Sequence, residues 1–216
     1  MIKVTDAVYE ILSSSDEELE LMRQGLLNLS AFADKIHPQV EAKTWKKVKR
    51  ATIIVALSRL QKNLPQIPAL RPTIHLDELS LKSPLADVTF EKNRRTLERS
   101  RSLSAFLVQH NPHFFTITQG MNEVTIIVSQ EQLEITLEYF DSKPKALFKD
   151  LVGVTVKFSE RYIQQPNVIY TILSLLAAKR VNIVEIVSTY TELTVVIDQG
   201  ELNLAVETLN TLFRRK

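Results

Sequence analysis

Through residue 64 the apolar positions recur at helical spacing, and beyond residue 84 they alternate between strand and helix rhythm. Ser15-Asp16-Glu17-Glu18 reads as a capping box ahead of Leu19, Met22 and Leu26 on one helix face. Leu29, Phe32, Ala33 and Ile36 follow at i, i+3, i+4 and i+7. His37-Pro38 is expected to end that helix and start another. The last helix, through ATIIVALSRLQ, is apolar nearly all round and is expected at the buried centre of a helical domain spanning 1–64. From 65 to 84 the periodicity fades among four prolines, a connector by composition.

The remainder says nearly the same thing twice. EVTIIVSQEQLEITLEYF (123–140) aligns without a gap on ELTVVIDQGELNLAVETL (192–209), with Glu123 over Glu192, Thr125 over Thr194 and Gln130 over Gln199. Leu133, Leu137 and Phe140 overlie Leu202, Val206 and Leu209, one face of a helix in each copy. Upstream come β-rich HFFTITQGMN (113–122) over NIVEIVSTYT (182–191), then helices at 97–109 and 167–180, then strands at 85–92 and 152–160. Each copy therefore reads βαββα, the ferredoxin-like order once a closing strand is added. PKALFKD (144–150) is a candidate for the first copy's closing strand. Only FRRK follows the second copy, so its closing strand is missing or lent by another segment. The predicted class is α+β: a helical domain (1–64), a connector (65–84) and two ferredoxin-like units (85–150 and 151–216).

Composition narrows the chemistry. With 44% hydrophobic and 24% charged residues the chain can bury ordinary cores. A net charge of +2 is too small to make the whole molecule a nucleic-acid or membrane binder, so any basic footprint is local. The absence of cysteine removes disulfides, thiolate zinc sites and cysteine nucleophiles, and fits a reducing cytoplasmic setting. Four scattered glycines supply no phosphate-cradling loop, and no aliphatic run approaches the length of a membrane helix. Of the histidines only His110 and His113 are close, and Pro112 and the lack of nearby carboxylates make that pair a polar turn. No serine or lysine is patterned with a base. The expectation is a protein with no catalytic site, metal or cofactor.

The second copy, VGVTVKFSERYIQQPNVIYTILSLLAAKRVNIVEIVSTYTELTVVIDQGELNLAVETL, resembles an ACT regulatory domain, particularly those of aspartate kinases. The likeness rests on a strand, a Pro-led helix, NIVEI, STYTELT, Asp198 ending the third strand and the AVETL helix, and it is fainter in the first copy. It implies that the paired units form a homodimer and bind an amino acid at an interface. Pro166-Asn167 stands where that family usually carries Pro-Gly, and no kinase domain is present. LLNLSAFADKIHPQVEAKT is similar to a segment found ahead of ACT units in uncharacterised prokaryotic proteins.

Two candidate sites follow. The polar loop at 158–167 offers Ser159, Glu160, Gln165, Pro166 and Asn167 to a carboxylate, with Pro166 in the first helical turn leaving N–H groups free. An ordinary strand-to-helix loop capped by Gln165 or Asn167 is the competing reading. Charge is also uneven: residues 1–20 hold six acids and one base, while 43–62 hold seven bases and no acid. If KTWKKVKR is helical, Lys43, Lys46, Lys47 and Arg50 share a face able to grip phosphates in a helix-turn-helix-like head. A solvated basic face is the alternative. Arg94, Arg95, Arg99 and Arg101 form a second group, expected to meet the acidic N-terminal stretch. The preferred expectation is a non-enzymatic, cytoplasmic amino-acid sensor coupled to a DNA-binding head. The alternatives are a dimerisation or protein-interaction module without a small ligand and, last, an enzyme using the ferredoxin-like cleft.

Overall fold

The computed structural model describes residues 2–64, 70–109 and 114–213. The His110/His113 turn and residues 65–69 of the expected connector lie outside them. The class is α+β as predicted, with a helical region followed by sheet-and-helix units. The chain divides into a helical unit, Met1–Pro72, and a sheet unit, Thr73–Lys216.

The helical unit holds α1 (Val4–Ser13), α2 (Asp16–Arg23), α3 (Leu29–Thr44) and α4 (Arg50–Asn63). Its core joins Val8, Ile11 and Leu12 of α1, Phe32, Ile36 and Val40 of α3, and Ile53 and Leu57 of α4. Helix α4 is not the buried centre: Val55 is half exposed, and Ala51, Thr52 and Arg59 face outward. Acidic α1 supplies as much of the core, because its acids lie opposite a complete apolar stripe. Ser15 does occupy the N-cap of α2, but its hydroxyl bonds the Glu18 carboxylate rather than a backbone N–H. Gly25, at φ 74°, turns the chain after α2 and leaves Leu26 exposed. His37-Pro38 does not end a helix either, since α3 runs through Pro38 to Thr44. Pro38 sits on the exposed side, where water can serve the carbonyl it leaves unpaired, while Ile36 and Val40 stay buried.

The sheet unit contains β1 (Leu76–Glu91), α5 (Arg94–Gln109), β2 (Phe115–Gln119), β3 (Glu123–Ser129), α6 (Leu133–Glu138), β4 (Ala146–Phe158), α7 (Val168–Ala178), β5 (Ile183–Ser188), β6 (Glu192–Asp198) and α8 (Leu202–Asn210). All six strands form one antiparallel sheet in the order β2-β3-β1-β4-β6-β5. The duplication read from the sequence is a duplication of structure. Strands β3 and β6, the 3₁₀ turns after them and helices α6 and α8 begin at Glu123 and Glu192, Gln130 and Gln199, and Leu133 and Leu202, one constant offset.

The first repeat closes with Ala146–Phe148, inside the candidate stretch 144–150, while the second borrows its closing strand from the segment ahead of the first. The second half of β1 pairs with β3, and its Asp87, Val88 and Thr89 face Phe148, Leu147 and Ala146 of β4. The first half of β1, Leu79 to Lys82, instead pairs with Val156 to Gly153 of β4, alongside β6. Residues 76–84 are therefore strand rather than connector, and the expected boundary at 150/151 falls inside β4. The physical reason is that Leu76 and Leu79 have an apolar layer to join: they pack with Val154, Val156, Leu193 and Ile172 of the second repeat. The Leu76 N–H donates to the Leu212 carbonyl, at 3.2 Å, fastening the lent strand.

Two cores lie beneath the helices. Val88, Phe90, Val124 and Ile126 pack on Leu103 and Leu107 of α5, while Val154, Val156, Val195 and Ile197 pack on Ile172 and Leu176 of α7. The opposite face is not flat. Bulges interrupt the β1–β4 pairing around Lys82 to Asp87, and Phe115 and Thr116 of β2 line one cavity with Val187 of β5 and Thr189 just beyond it, although these strands are at opposite ends of the order. The flanks thus curl toward each other around a small third core of Leu85, Ile127, Leu151 and Val196.

Candidate functional site

In the second repeat, β4 gives way at Phe158 to the loop 159–167. Its first residues make a 3₁₀ turn, with the Tyr162 N–H donating to Ser159 O and the Gln165 N–H to Tyr162 O, both at 3.0 Å. The Tyr162 ring is buried in the apolar core. Its hydroxyl accepts the His75 N–H at 3.1 Å and an Arg161 N–H at 2.7 Å, and the Arg161 guanidinium lies 4.7 Å from the ring centre. This anchors the loop from beneath.

The loop ends at Asn167, which adopts a left-handed backbone conformation (φ 67°, ψ 14°) at the N-cap of α7. Asparagine tolerates that region better than most residues with a Cβ, so this turn needs no glycine. The Asn167 side chain caps nothing, while its carbonyl accepts both the N–H (2.9 Å) and the hydroxyl (2.8 Å) of Thr171. The first-turn amides of a helix have no partner within it. Here that end, Val168 to Tyr170, lines a cavity of about 350 Å³ closed by Phe158, Tyr162 and the β5–β6 turn at Ser188 to Tyr190. No charged side chain lines it among the described residues. A small anion entering would meet the positive end of α7 beside aromatic walls.

Of the residues picked from sequence, Gln165 and Asn167 line this cavity, whereas Ser159, Glu160 and Pro166 do not. Pro166 precedes the N-cap rather than entering the first helical turn, and neither Gln165 nor Asn167 caps α7 through its side chain. Sequence reasoning missed Tyr162, Tyr170 and Tyr190. A usable signal was the repeat itself, which places Tyr190 over Met121 of the first copy.

The first repeat treats the same place differently. Asn93 and Thr96 cap α5 reciprocally: the Thr96 N–H donates to Asn93 Oδ1 and the Asn93 N–H to Thr96 Oγ1, both at 2.9 Å. Three of the nearby arginines find acids within the sheet unit itself. Arg95 and Arg99 pair with Asp141, Arg99 at 2.9 Å, and Arg94 pairs with Glu98 at 2.9 Å. Arg99 foremost, with Arg95, holds the Asp141 carboxyl below its ordinary range.

The basic stretch of the helical unit is not one helical face. Helix α3 ends at Thr44, Trp45 turns left-handed at φ 56°, and Lys46 to Lys49 form a non-helical link to α4. Lys43 bonds Glu10 at 2.8 Å. Arg50 pairs with Asp34 and also donates to Ser30 Oγ at 2.6 Å. That Arg50 hydrogen bond keeps the Asp34 carboxyl below its usual range. Lys47 reaches Glu41 at 3.4 Å, and Lys46 has no ion pair among the described residues. Lys43, Lys46, Lys47 and Arg50 are thus split between two satisfied helix ends and an exposed turn.

No protein-family model and no curated protein matches this sequence. Solved structures do match its fold. The regulatory subunit of aspartate kinase from Thermus thermophilus aligns with a TM-score of 0.53 at 15% identity, over 65% of this chain and 99% of that one. Aspartate kinase from Clostridium acetobutylicum aligns with a TM-score of 0.54 at 14% identity over 65% of this chain, and that from Synechocystis with 0.51 at 16% over 70%. This chain spans only 35% and 30% of those two enzymes. The likeness establishes an ACT-like fold. Among the described residues no helix is long and apolar enough to cross a membrane.

Proposed function

We propose that this chain is a non-enzymatic regulatory protein whose second repeat binds a small amino acid at the start of α7. The ligand carboxylate faces the amides of Val168 to Tyr170, its amino group faces Gln165 and the Ser188–Thr189 hydroxyls, and its side chain packs on Phe158 and Tyr162. One observation carries the reading: a helix start without a side-chain cap opens into an uncharged aromatic cavity, while the equivalent helix start in the first repeat is capped. The regulatory subunits among the structural neighbours lend support through their shared fold. Ile169 and Tyr170 are about half exposed at the cavity rim, and this apolar edge would pair across a homodimer. Regulation then requires that the ligand bind one arrangement of the protein more tightly than another.

A thermal-shift screen against the twenty amino acids tests the ligand. At 100 times its dissociation constant a true ligand adds about 2.7 kcal/mol of stability, a rise of several degrees. The exposed rim also favours a second reading, a pairing module without a small ligand. A flat screen together with a dimer in sedimentation that Tyr170→Glu dissociates would establish that reading instead.

A further inference from the structure

Beyond the amino-acid reading and independent of it, we propose that the turn joining α3 to α4 is a docking tip for single-stranded nucleic acid. Trp45 is 88% exposed, a costly display for the largest apolar ring in the chain. It is held there by a rigid support. The neighbouring Val48 is buried, its N–H donates to Glu41 Oε1 at 2.9 Å, and its carbonyl accepts from His37 Nε2 at 2.6 Å. Both anchors project from α3, so the turn is fixed at its middle and offers its remaining side chains to solvent. A bulky residue at φ 56° is itself sparsely populated backbone, and such positions concentrate at functional sites.

Those remaining side chains are Lys46, Lys47 and Lys49, all exposed; the Lys47 ammonium also lies 3.4 Å from Glu41, but at 97% exposure it can swing to a phosphate. Along the extended stretch Lys47–Val48–Lys49, Val48 points into the core, which directs the two flanking lysines outward. One flat ring among three amines matches a base stacked between its own phosphates. Two other polyanions fit less well. A duplex groove needs a basic helix face, and the lysine and arginine at the adjoining helix ends are committed to Glu10 and Asp34. A bilayer needs an apolar wedge, and the turn's only other apolar residue is buried.

Trp45 is the only tryptophan in the sequence, so indole fluorescence of the full chain reports this ring alone. Titration with oligodeoxythymidine should quench it to saturation. Three lysine–phosphate contacts predict that log affinity falls with log salt at a slope of about −2. Binding of a labelled oligonucleotide should weaken about tenfold in Trp45→Ala, be largely restored in Trp45→Phe, and fall further when Lys46, Lys47 and Lys49 are all changed to Glu. Circular dichroism confirms that these surface variants fold. The proposal fails if quenching is absent, if Trp45→Ala binds as tightly as the parent, or if duplex is preferred to single strand. A blue shift with phosphatidylserine vesicles but no response to the oligonucleotide would also overturn it, in favour of a membrane surface.

Discussion

The two repeats share strand order, register and even the 3₁₀ turns after β3 and β6, yet they begin their first helices in opposite ways. In the first, two residues separate β1 from α5, and Asn93 with Thr96 close the helix start. In the second, nine residues separate β4 from α7, and the helix starts behind a left-handed Asn167 with no side-chain cap. A duplicated scaffold thus holds one copy with a side-chain cap and one whose uncapped helix start lines a cavity. Polar groups cost free energy only when buried without a partner, so an accessible helix start is tolerable and available to a ligand. The asymmetry continues on the sheet's helix-free face. Strand registers make Asp87 the counterpart of Gly153, and a Cβ at Gly153 would lie 3.1 Å from the Leu85 Cδ1 atom, so a side chain there would require Leu85 to shift.

The largest test of this comparison concerns independence. Phe90 is fully buried and stacks on Phe140 with ring centres 4.0 Å apart, while Val156 is its smaller counterpart in the second repeat. Phe90→Ala should cost about 3–5 kcal/mol and Val156→Ala less. Since β1 and β4 each run through both repeats, either change should raise amide exchange in β3 and β6 together. Loss of protection in one strand alone would show that the repeats are separable.

Next in size is Asp87. It is 3% exposed, and burial, then the nearby Glu185 carboxylate, push its pKa up to about 6, against a weak bond from Thr89. With the folded pKa above the unfolded one, the folded chain holds the extra proton between about pH 4 and 6. Stability should therefore fall as pH rises through that window, and remain lower above it by about 2–3 kcal/mol. Asp87→Asn should raise the melting temperature at pH 7.5 and leave it nearly unchanged at pH 4. Equal melting shifts at both pH values would refute the assignment.

The smallest effects compare the two helix starts directly. Asn93→Ala removes a working cap and should cost about 1 kcal/mol in chemical denaturation. Asn167→Gly removes no side-chain hydrogen bond and relieves the left-handed backbone, so stability should change by only a few tenths. A loss at Asn167 as large as at Asn93 would mean that its side chain does more for the fold than the hydrogen bonds indicate.

How legible was this in the sequence? The ungapped match of 123–140 on 192–209 carried the repeat, because a half-buried strand and a helix each impose a period that residues cannot hide. Boundaries were poorer. Pro38 looked like a helix end, yet its neighbours Ile36 and Val40 had a core to fill, and burial outweighed one missing hydrogen bond. HLDELSLKSP looked like a connector because Asp77, Glu78, Lys82 and the prolines mask its strand pattern. Only the waiting edge of β4 made it a strand.

The candidate cavity divides the same way. Gln165 and Asn167 stood out locally, but Tyr162 and Tyr190 reach the site from a core-anchored turn and a hairpin far along the chain. The basic cluster was legible as charge but not as geometry: whether Lys43 meets Glu10 or a phosphate depends on which helices touch, and the sequence carries no record of that distance. Periodicity and composition are local, so the chain alone specified two copies of βαββα behind a helical region. Strand lending, the commitment of two cations to acids, the curl that buries Asp87 and the open start of α7 are properties of contacts between distant segments, and only the packed structure decides them.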